Sequence, residues 1–311
     1  MNTTFLLSGG AGRIITAIPA LEKYFKLNVE DDFKILVAGW ESVFWSHPIL
    51  QKRTYDPNQK GSFELHVKNN KLVVPEPYHY YRFYNQQINL IEAFDELING
   101  DFNHTDLKTN NYLYLNTLEK NNSILNIDNF KNARNTNKVI VFQPFGSAAQ
   151  QINNQAIDDS NRSLSINNYF EIVKILSQHA AIVFMGQNHL RHNNDNVSLY
   201  INDDAYYLRN MIGIISKCDF FLGVDSVGQH IAKSFNKPGL ILMGGTDEAN
   251  YSYPNHFKIF RKKDSVPTYS PWRISDTDTN YSNRLNDETM EYTKTEIKEI
   301  CEIVIERLKN V

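Results

Sequence analysis

The chain has 311 residues, of which 41% are hydrophobic and 22% are charged. This composition is typical of a globular protein and excludes an intrinsically disordered chain, and the length is sufficient for two domains with separate cores. A formal net charge of −3 provides no overall field that would attract nucleic acid or an anionic membrane surface.

The cysteine content and the N-terminal sequence indicate a reducing compartment. Cys218 and Cys301 are the two cysteines, too few for a disulfide framework or a zinc site. The first residues lack a basic segment and a cleavage signature, and no apolar run approaches the roughly 20 residues that a membrane span needs. We therefore expect a cytoplasmic protein without a transmembrane segment.

The first half of the chain predicts a Rossmann-like order of strands and helices. A strand over 4–8 leads through a Gly-rich turn at 9–12 into an amphipathic helix over 13–26, and a second strand covers 33–37. This β-loop-α-β order predicts a parallel sheet with helices on its faces. The remaining predicted elements of this half are a helix from about Glu41, a hairpin over 62–74 and a helix over 85–99.

The second half predicts another β/α series. A stretch rich in Asn, Lys and Asp over 121–137 reads as an interdomain connection, and a polar stretch over 264–290 precedes a final amphipathic helix over 294–309. Between them, strands are predicted over 138–142, 181–185, 220–224 and 239–243, and helices over 166–179, 205–216 and 227–235. The predicted fold class is therefore α/β, with two Rossmann-like doubly wound domains facing a cleft.

The turn after the first predicted strand is a candidate binding element. Gly10 and Gly12 allow close approach of a ligand, and the free N–H groups of the following helical turn favour an anion. A tight turn needed for packing alone explains these glycines equally well. The turn differs from the dinucleotide fingerprint, because no acidic residue ends the second predicted strand where a ribose would need it.

The turn after the strand over 138–142 repeats this arrangement. Gln143, Gly146 and Ser147 again place small or polar residues where phosphates can approach. Arg162 precedes Ser165, a predicted helix N-cap, so its guanidinium can hold a diphosphate beside that helix. A solvated surface arginine is the competing interpretation.

The strongest candidate site lies at the ends of the strands over 220–224 and 239–243. A carboxylate, a hydroxyl, a glycine and an imidazole follow the first of these strands, at the edge where open α/β sheets bind ligands. An N-cap role for Asp225 and a packed helix position for His230 are the structural alternatives. The residues assigned to this part of the site are Asp225, Ser226, Gly228, Gln229, His230, Gly244 and Thr246.

Two blocks of the sequence together carry a family resemblance. Residues 225–230 read DSVGQH, followed by Lys237-Pro238 and by GGT at 244–246, and residues 12–21 read GRIITAIPAL. These blocks resemble glycosyltransferase family 9, the heptosyltransferase-like group, which has Asp-Ser/Thr-Gly-x-x-His, a Pro-containing turn, Gly-x-Thr and an opening Gly-Asp-x-x-x-x-x-Pro-Ala-Leu. Arg162 falls where that family has a phosphate-binding Lys or Arg ahead of a helix.

The resemblance implies a GT-B fold and a reaction. The implied domains are 1–130 on the acceptor side and 138–290 for the nucleotide-sugar, with a helix over 291–311 packing back on the N-terminal domain. The implied reaction is inverting, metal-independent transfer of a sugar from a nucleotide-sugar donor to an acceptor hydroxyl, without a cofactor. The sugar class, donor nucleotide and oligomeric state are left open.

Such a reaction requires groups that stabilise the leaving diphosphate. We assign this role to Arg162, to the Gly146-Ser147 turn and to the helix start at 226–229, with a contribution from Arg13. The predicted donor site comprises Gly10, Gly12, Gln143, Gly146, Ser147, Arg162, Gly186, Gln187, Asp225, Ser226, Gly228, Gln229, His230, Gly244 and Thr246.

Two departures from the family pattern affect the predicted mechanism. Arg13 stands at the position of the family's Asp, its proposed general base, and an arginine stays protonated and cannot accept a proton. Val227 stands at the family's glycine, with Gly228 next, which shifts the turn. The candidate bases are Glu41 and His47, because the loop after the second predicted strand is expected to face the cleft.

Two other functions fit the same residues. The first is a nucleotide-sugar-binding protein that has lost catalysis, which would account for Arg13 at the position of the family's base. The second is a GT-B-fold epimerase that acts on the nucleotide-sugar without an acceptor. For a transferase, the acceptor classes are a glycan, a lipid-linked saccharide, a protein or a modified nucleobase. The aromatic stretch over 77–84 can stack on sugar or base rings, or it packs as a half-buried segment.

Overall fold

The computed structural model describes residues 1–147, 149–152, 155–158, 160–186, 197–199, 207–263, 265 and 290–310. The described residues up to Asn116 form one compact unit, and those from Thr117 form a second. This boundary precedes the predicted one between 130 and 138, because residues 117–134 are helical and belong to the second unit.

The first unit contains a parallel four-stranded sheet with the order β3-β2-β1-β4. Its strands are β1 (Thr3–Leu7), β2 (Lys34–Val37), β3 (Thr54–Tyr55) and β4 (Lys71–Val73). The hairpin predicted over 62–74 is wrong, since Phe63–Val67 form a π-helical turn and β4 pairs in parallel with β1. The second edge of β1 needs partners for its backbone N–H and C=O groups, and β4 supplies them.

The helices of the first unit are α1 (Ala11–Leu27), α2 (Tyr81–Tyr84) and α3 (Leu90–Asn99). The apolar face of α1 is buried, and α1 packs against α3. The predicted helix from Glu41 is a single 3₁₀ turn, Glu41–Phe44. The helix predicted over 85–99 begins at Leu90, because the Asn89 side chain caps its N-terminus in a capping box with Glu92.

The second unit contains a parallel six-stranded sheet with the order β12-β11-β10-β5-β8-β9. Its strands are β5 (Val139–Gln143), β8 (Ala181–Phe184), β9 (Val197–Leu199), β10 (Phe220–Val224), β11 (Gly239–Met243) and β12 (Lys258–Arg261), and a separate antiparallel pair is β6 (Gln150–Ile152) and β7 (Gln155–Ile157). The four strands predicted from continuous apolar runs are confirmed. Such runs are typical of parallel strands buried on both faces.

The helices of the second unit are α4 (Thr117–Arg134), α5 (Ile166–Leu176), α6 (Tyr207–Lys217), α7 (Val227–Ser234), α8 (Glu248–Tyr251) and α9 (Lys294–Leu308). The linker predicted over 121–137 is wrong, because α4 occupies most of it. Ser123 and Ile127 are its buried residues, which explains the polar composition. Arg209 of α6 binds Glu119 of α4 through two hydrogen bonds of 2.8 and 2.7 Å. This ion pair holds α4 against α6.

The C-terminal helix α9 belongs to the second unit. Its N-terminus is capped by Thr293 in a capping box with Glu296, and it packs against α5. Ile300, Cys301 and Val304 join the hydrophobic core that also contains the strands of this unit. The apolar face of this helix is therefore buried in the core of the second unit.

The described part of the chain contains no helix with the length and apolar character needed to cross a membrane. Both cysteines, Cys218 and Cys301, are buried thiols. Burial raises the pKa of each thiol to about 12, so both stay protonated and unreactive at neutral pH.

Candidate functional site

The candidate site of the second unit is built on three adjacent strands. In the sheet, β10 lies between β5 and β11 and pairs in parallel with both. The carboxyl ends of parallel neighbours meet at one sheet edge, so Gln143, the last residue of β5, lies at the same edge as Asp225 and Gly244, which follow β10 and β11. The structure thereby brings together residues that are about 100 positions apart in the chain.

Gln143 joins β5 to the start of α7. Its side-chain Nε2 donates to Ser226 Oγ at 3.1 Å, and its Oε1 accepts from the Gly228 backbone N–H at 2.9 Å. A Cβ on Gly228 would lie 2.3 Å from Gln143 Oε1 and 2.7 Å from Phe221 Cζ. A larger residue at 228 would displace the side chains of Gln143 and Phe221, so the glycine preserves the Gln143 contact with the start of α7.

Asp225 is a buried carboxylate at the centre of this edge. Its Oδ1 accepts from Gln229 Nε2 at 2.8 Å, and its Oδ2 lies 3.8 Å from Arg162 Nη1. Burial raises the pKa of Asp225, and the positive charge of Arg162 opposes that rise. The N-cap of α7 is Ser226, so the N-cap interpretation of Asp225 is not the arrangement in the structure.

Arg162 lies on a loop that is held in place by Asp158. The sequence analysis did not identify this carboxylate as part of the site. The Arg162 side chain is 15% exposed, and its Nε donates to Ser160 Oγ at 2.8 Å. Asp158 accepts from the hydroxyls of Ser160 and Ser163, and Ser163 Oγ accepts from the Gly146 N–H at 2.8 Å. Arg162 is therefore not a solvated surface arginine, because hydrogen bonds connect its loop to the Gly146 turn.

The loop after β11 packs directly on the same segment. The Gly245 N–H donates to the Asn161 carbonyl at 2.9 Å. A Cβ on Gly244 would lie 2.2 Å from that carbonyl oxygen and 2.5 Å from Met290 Cγ. Gly244 is thus needed for this close approach, which places the β11 loop beside Arg162.

Arg261 of β12 is a further residue that the sequence interpretation missed. Its guanidinium donates to the carbonyls of Gly244 and Thr246, the latter at 2.7 Å, and pairs with Glu248 at 2.7 Å. The strand carrying Arg261 is short and at the sheet edge, so its sequence has little periodic signal. The arginine holds the backbone of the β11 loop in position.

Three buried polar atoms of the site lack a well-aligned hydrogen-bond partner within the described part of the chain, although Thr246 lies close enough to Asp225 to lower the pKa of its carboxyl. They are Asp225 Oδ2, Gln229 Oε1 and Thr246 Oγ1. A buried polar atom without a partner costs about 1–3 kcal/mol, so native proteins keep few of them. Their concentration at one sheet edge is typical of a site that receives a polar ligand.

His230 is held in its neutral form. Its Nδ1 lies 2.7 Å from the Tyr253 hydroxyl, and burial lowers the pKa of His230 to about 3. At neutral pH the ring therefore positions neighbouring groups and does not exchange protons with a substrate.

We expect His230→Asn to remove part of the pH dependence of stability. The unfolded histidine titrates near pH 6.5, well above the folded one, so the parent loses stability as the pH falls from about 6.5 towards 3, by up to about 1.4 kcal/mol per pH unit. Asn retains a polar atom near the position of Nδ1 but does not titrate. Urea unfolding at pH 4 to 8 measures this; equal slopes for parent and variant would contradict it.

The candidate cation of the first unit, Arg13, is already paired. Its Nη2 donates to Glu76 Oε2 at 2.7 Å and to the Pro75 carbonyl at 3.3 Å, and its guanidinium carbon lies 5.3 Å from the centre of the Tyr78 ring. Gly10 is the exposed N-cap of α1, and Gly12 lies in the first turn. Glu76 was not among the predicted residues, because nothing local in the sequence connects it to Arg13.

The two predicted bases differ in their surroundings. His47 is buried, its Nδ1 accepts from the N–H groups of Ile49 and Leu50 at 3.2 and 3.1 Å, and its Nε2 lies 3.1 Å from Glu22 Oε1. His47 is thus buried among groups of its own unit, and its role as a base stays a prediction. Glu41 is half-buried and accepts from the Gly39 N–H at 3.1 Å.

Three other predicted donor residues follow strands of the second unit. The Gly186 carbonyl accepts from the Tyr207 hydroxyl at 2.9 Å, and Ser147 is exposed in its turn. Gln187 lies outside the described residues. Among the residues that are described, no group of three or more His, Cys, Asp or Glu side chains is placed to hold a metal ion.

The sequence matches no protein-family model and no curated protein sequence, but solved structures match it over its length. The glycosyl transferase family 9 protein of Veillonella parvula DSM 2008 has a TM-score of 0.64 at 11% identity, covering 100% of this chain and 98% of the other. E. coli heptosyltransferase WaaC with ADP has a TM-score of 0.57 at 12% identity, covering 100% of both chains. The dodecameric iron-containing heptosyltransferase TibC from enterotoxigenic E. coli, in complex with ADP-D-beta-D-heptose, has a TM-score of 0.63 at 11% identity, covering 99% and 76%.

These similarities establish the fold. The chain has the GT-B fold of family 9 glycosyltransferases and heptosyltransferases, with two parallel α/β sheets. The fold class and the resemblance predicted from the motifs are confirmed at this level.

Proposed function

We propose that this GT-B chain is a glycosyltransferase that moves a sugar from a nucleoside-diphosphate sugar to an acceptor hydroxyl. The observation that carries the proposal is the convergence of Arg162, the start of α7 and the Gly244 loop on buried polar atoms that lack well-aligned hydrogen-bond partners in the described residues. The solved structures of WaaC and TibC hold ADP and ADP-D-beta-D-heptose, so an ADP-sugar is the first donor to test.

The chemistry of the site suits a leaving diphosphate. When the bond from the sugar to the phosphate breaks, negative charge grows on the phosphate oxygens, and a guanidinium or helix N–H groups stabilise that charge. Arg162 supplies the guanidinium, and the positive end of the α7 helix dipole adds to it, since the Gly228 N–H itself donates to Gln143. We propose that these groups take the place of a metal ion, and that the acceptor attacks directly with inversion.

The acceptor class that fits the first unit best is a saccharide. Tyr81 and Tyr84 of α2 are 53% and 36% exposed, and they follow Glu76 in the chain by a few residues. Aromatic faces of this kind pack against sugar rings. A free glycan and a lipid-linked saccharide share this chemistry, whereas a protein acceptor needs other contacts.

Arg162→Ala is expected to raise the Kd for the donor about ten- to a hundredfold. The expected loss is one charge-assisted contact, which is worth about 1.5–3 kcal/mol. Arg307→Ala on α9 makes the same charge change elsewhere in the unit and should leave the Kd unchanged. Calorimetric titration with ADP-heptose and other nucleotide-sugars, chosen by thermal shift, measures both values.

The outcomes separate the proposed function from its rivals. Transfer or donor hydrolysis in the parent supports a transferase, binding without turnover supports a lapsed binding protein, and a changed sugar on an intact nucleotide supports an epimerase. An equal Kd in the parent and in Arg162→Ala would show that the donor binds elsewhere.

A further inference from the structure

We propose that the first unit docks on an anionic lipid bilayer, with the π-helical turn Phe63–Val67 inserted among the lipid headgroups. This inference goes beyond the proposed function, because binding to a bilayer needs neither a donor nor an acceptor. The docking surface, which we name the apolar–basic face, consists of Phe63, Leu65, Leu72 and Val74 together with Lys34, Lys60, Lys68 and Lys71.

Four large apolar side chains of this face are exposed to solvent. Phe63 and Leu65 of the π-helical turn are 60% and 64% exposed, and Leu72 and Val74 are 46% and 50% exposed. Single exposed apolar residues are ordinary, whereas a contiguous group of them marks a surface that binds a protein or a membrane. The sheet shows whether these four side chains are contiguous.

The four apolar side chains lie on one side of the sheet. Leu72 of β4 is opposite Thr4 of β1, and opposite residues of neighbouring strands point to the same face. The Thr4 hydroxyl donates to the His66 carbonyl, so the π-helical turn lies over that same face. Val74 follows two residues after Leu72, which is the spacing of side chains on one face of an extended chain.

The other side of the sheet is covered by α1. Phe5, the neighbour of Thr4 in β1, packs against Tyr24 of α1 with ring centroids 4.9 Å apart. Successive side chains of a strand alternate between the two faces, so Thr4 and Leu72 point away from α1. The exposed apolar side chains are therefore on the side that the core helix leaves uncovered.

Lysines surround these apolar side chains. The segment over 60–74 contains three lysines and one acid, Glu64, although the whole chain has a net charge of −3. Lys34 adds a fourth cation beside the turn, since its Nζ donates to the Leu65 carbonyl at 2.7 Å. His66 adds no charge at neutral pH, because burial and the positive charge of Lys34 lower its pKa. The local charge is thus opposite in sign to that of the chain.

This combination of charge and shape fits a lipid surface better than a second copy of the chain. Two copies meeting at this face would bring like-charged lysines together, which is unfavourable. An anionic bilayer attracts each lysine near its surface, and each strengthens binding about fivefold. Phe63 and Leu65 project from a turn, so they can enter the headgroup region while the lysines stay at the anionic surface.

Vesicle flotation tests the proposal with the full chain. One set of vesicles contains phosphatidylcholine alone, and the other contains equal parts of phosphatidylcholine and phosphatidylglycerol. The parent should float with the anionic vesicles and partition at least about tenfold less onto the neutral ones, because the lysines act only on anionic lipid. Added salt should release it, since exposed charges are screened.

Two double variants separate the apolar and the ionic contributions. Phe63→Ser with Leu65→Ser should lower the partition coefficient on anionic vesicles by more than about tenfold. Lys60→Gln with Lys68→Gln should lower it by about thirtyfold. All four side chains are exposed, so both variants should keep the thermal unfolding midpoint of the parent.

Leu27→Ser with Val29→Ser is the matched control. These two apolar side chains belong to the same unit and are 63% and 77% exposed, but acids rather than lysines follow them, at 30–32. The control variant should partition onto anionic vesicles as the parent does. An equal loss in the control and in the variant of Phe63 and Leu65 would overturn the assignment to the apolar–basic face.

Other outcomes also contradict the proposal. A parent that stays in solution with anionic vesicles, or a Phe63 and Leu65 variant that floats like the parent, would overturn it. A parent that is dimeric by light scattering, and that becomes monomeric in that variant without ever binding vesicles, would assign the face to a second copy. None of these results affects the proposed function, since the donor titrations are made without lipid.

Discussion

Gly244→Ala is expected both to weaken donor binding and to lower the stability of the fold. The new Cβ would lie 2.2 Å from the Asn161 carbonyl oxygen, and this oxygen belongs to the backbone and cannot rotate away. The β11 loop and the loop carrying Arg162 must therefore separate. Overpacking of this kind costs about 3 kcal/mol at the upper end of its usual range, and we expect the Kd for the donor to rise more than about tenfold.

Gly10→Ala is the matched control for the loss of stability only, since Gly10 belongs to the predicted donor site. Gly10 has a φ of −77° at the N-cap of α1, and no heavy atom of the described residues lies within 4 Å of its added Cβ. The substitution should cost a few tenths of a kcal/mol to about 1 kcal/mol. Thermal unfolding and calorimetric titration of ADP measure both variants. A Gly244→Ala protein with the parent's Tm and Kd would show that the two loops are not coupled.

Glu119→Ala is expected to destabilise the second unit by about 3–5 kcal/mol. The Arg209 side chain is 1% exposed, and Glu119 holds it through two hydrogen bonds of 2.8 and 2.7 Å. Removing the carboxylate takes two charge-assisted hydrogen bonds from a buried guanidinium, which is far more costly than losing a surface ion pair. Urea unfolding at constant pH measures the loss.

An exposed pair on α9 provides the control for Glu119. Lys298 and Glu302 lie 3.6 Å apart with side chains 76% and 63% exposed, and Glu302→Ala should change the free energy of unfolding by less than about 0.5 kcal/mol. Similar losses for Glu119→Ala and Glu302→Ala would mean that the Arg209–Glu119 pair between α6 and α4 stabilises the fold no more than an ordinary surface pair.

The central strands of the second unit and the motif at the end of β10 can be predicted from neighbouring residues alone. Strands such as β5 and β10 are continuous apolar runs, because both faces of a parallel sheet are covered, and this signal is local. The block from Asp225 to His230 is likewise contiguous, so its position after a strand and before a helix follows from neighbouring residues. Arg162 was placed at the same site by its position ahead of a helix.

The tertiary structure alone decided the features that depend on distant partners. The strand β4 pairs with β1 because a buried strand edge needs hydrogen bonds, and α4 is a helix in a polar stretch because Arg209 binds Glu119. The helix α9 has an apolar face in either arrangement, and the core of the second unit determined where that face is buried. Arg13 and Glu76 are 63 residues apart, and no local pattern connects them. Their ion pair exists because two parallel strands end at the same edge of one sheet.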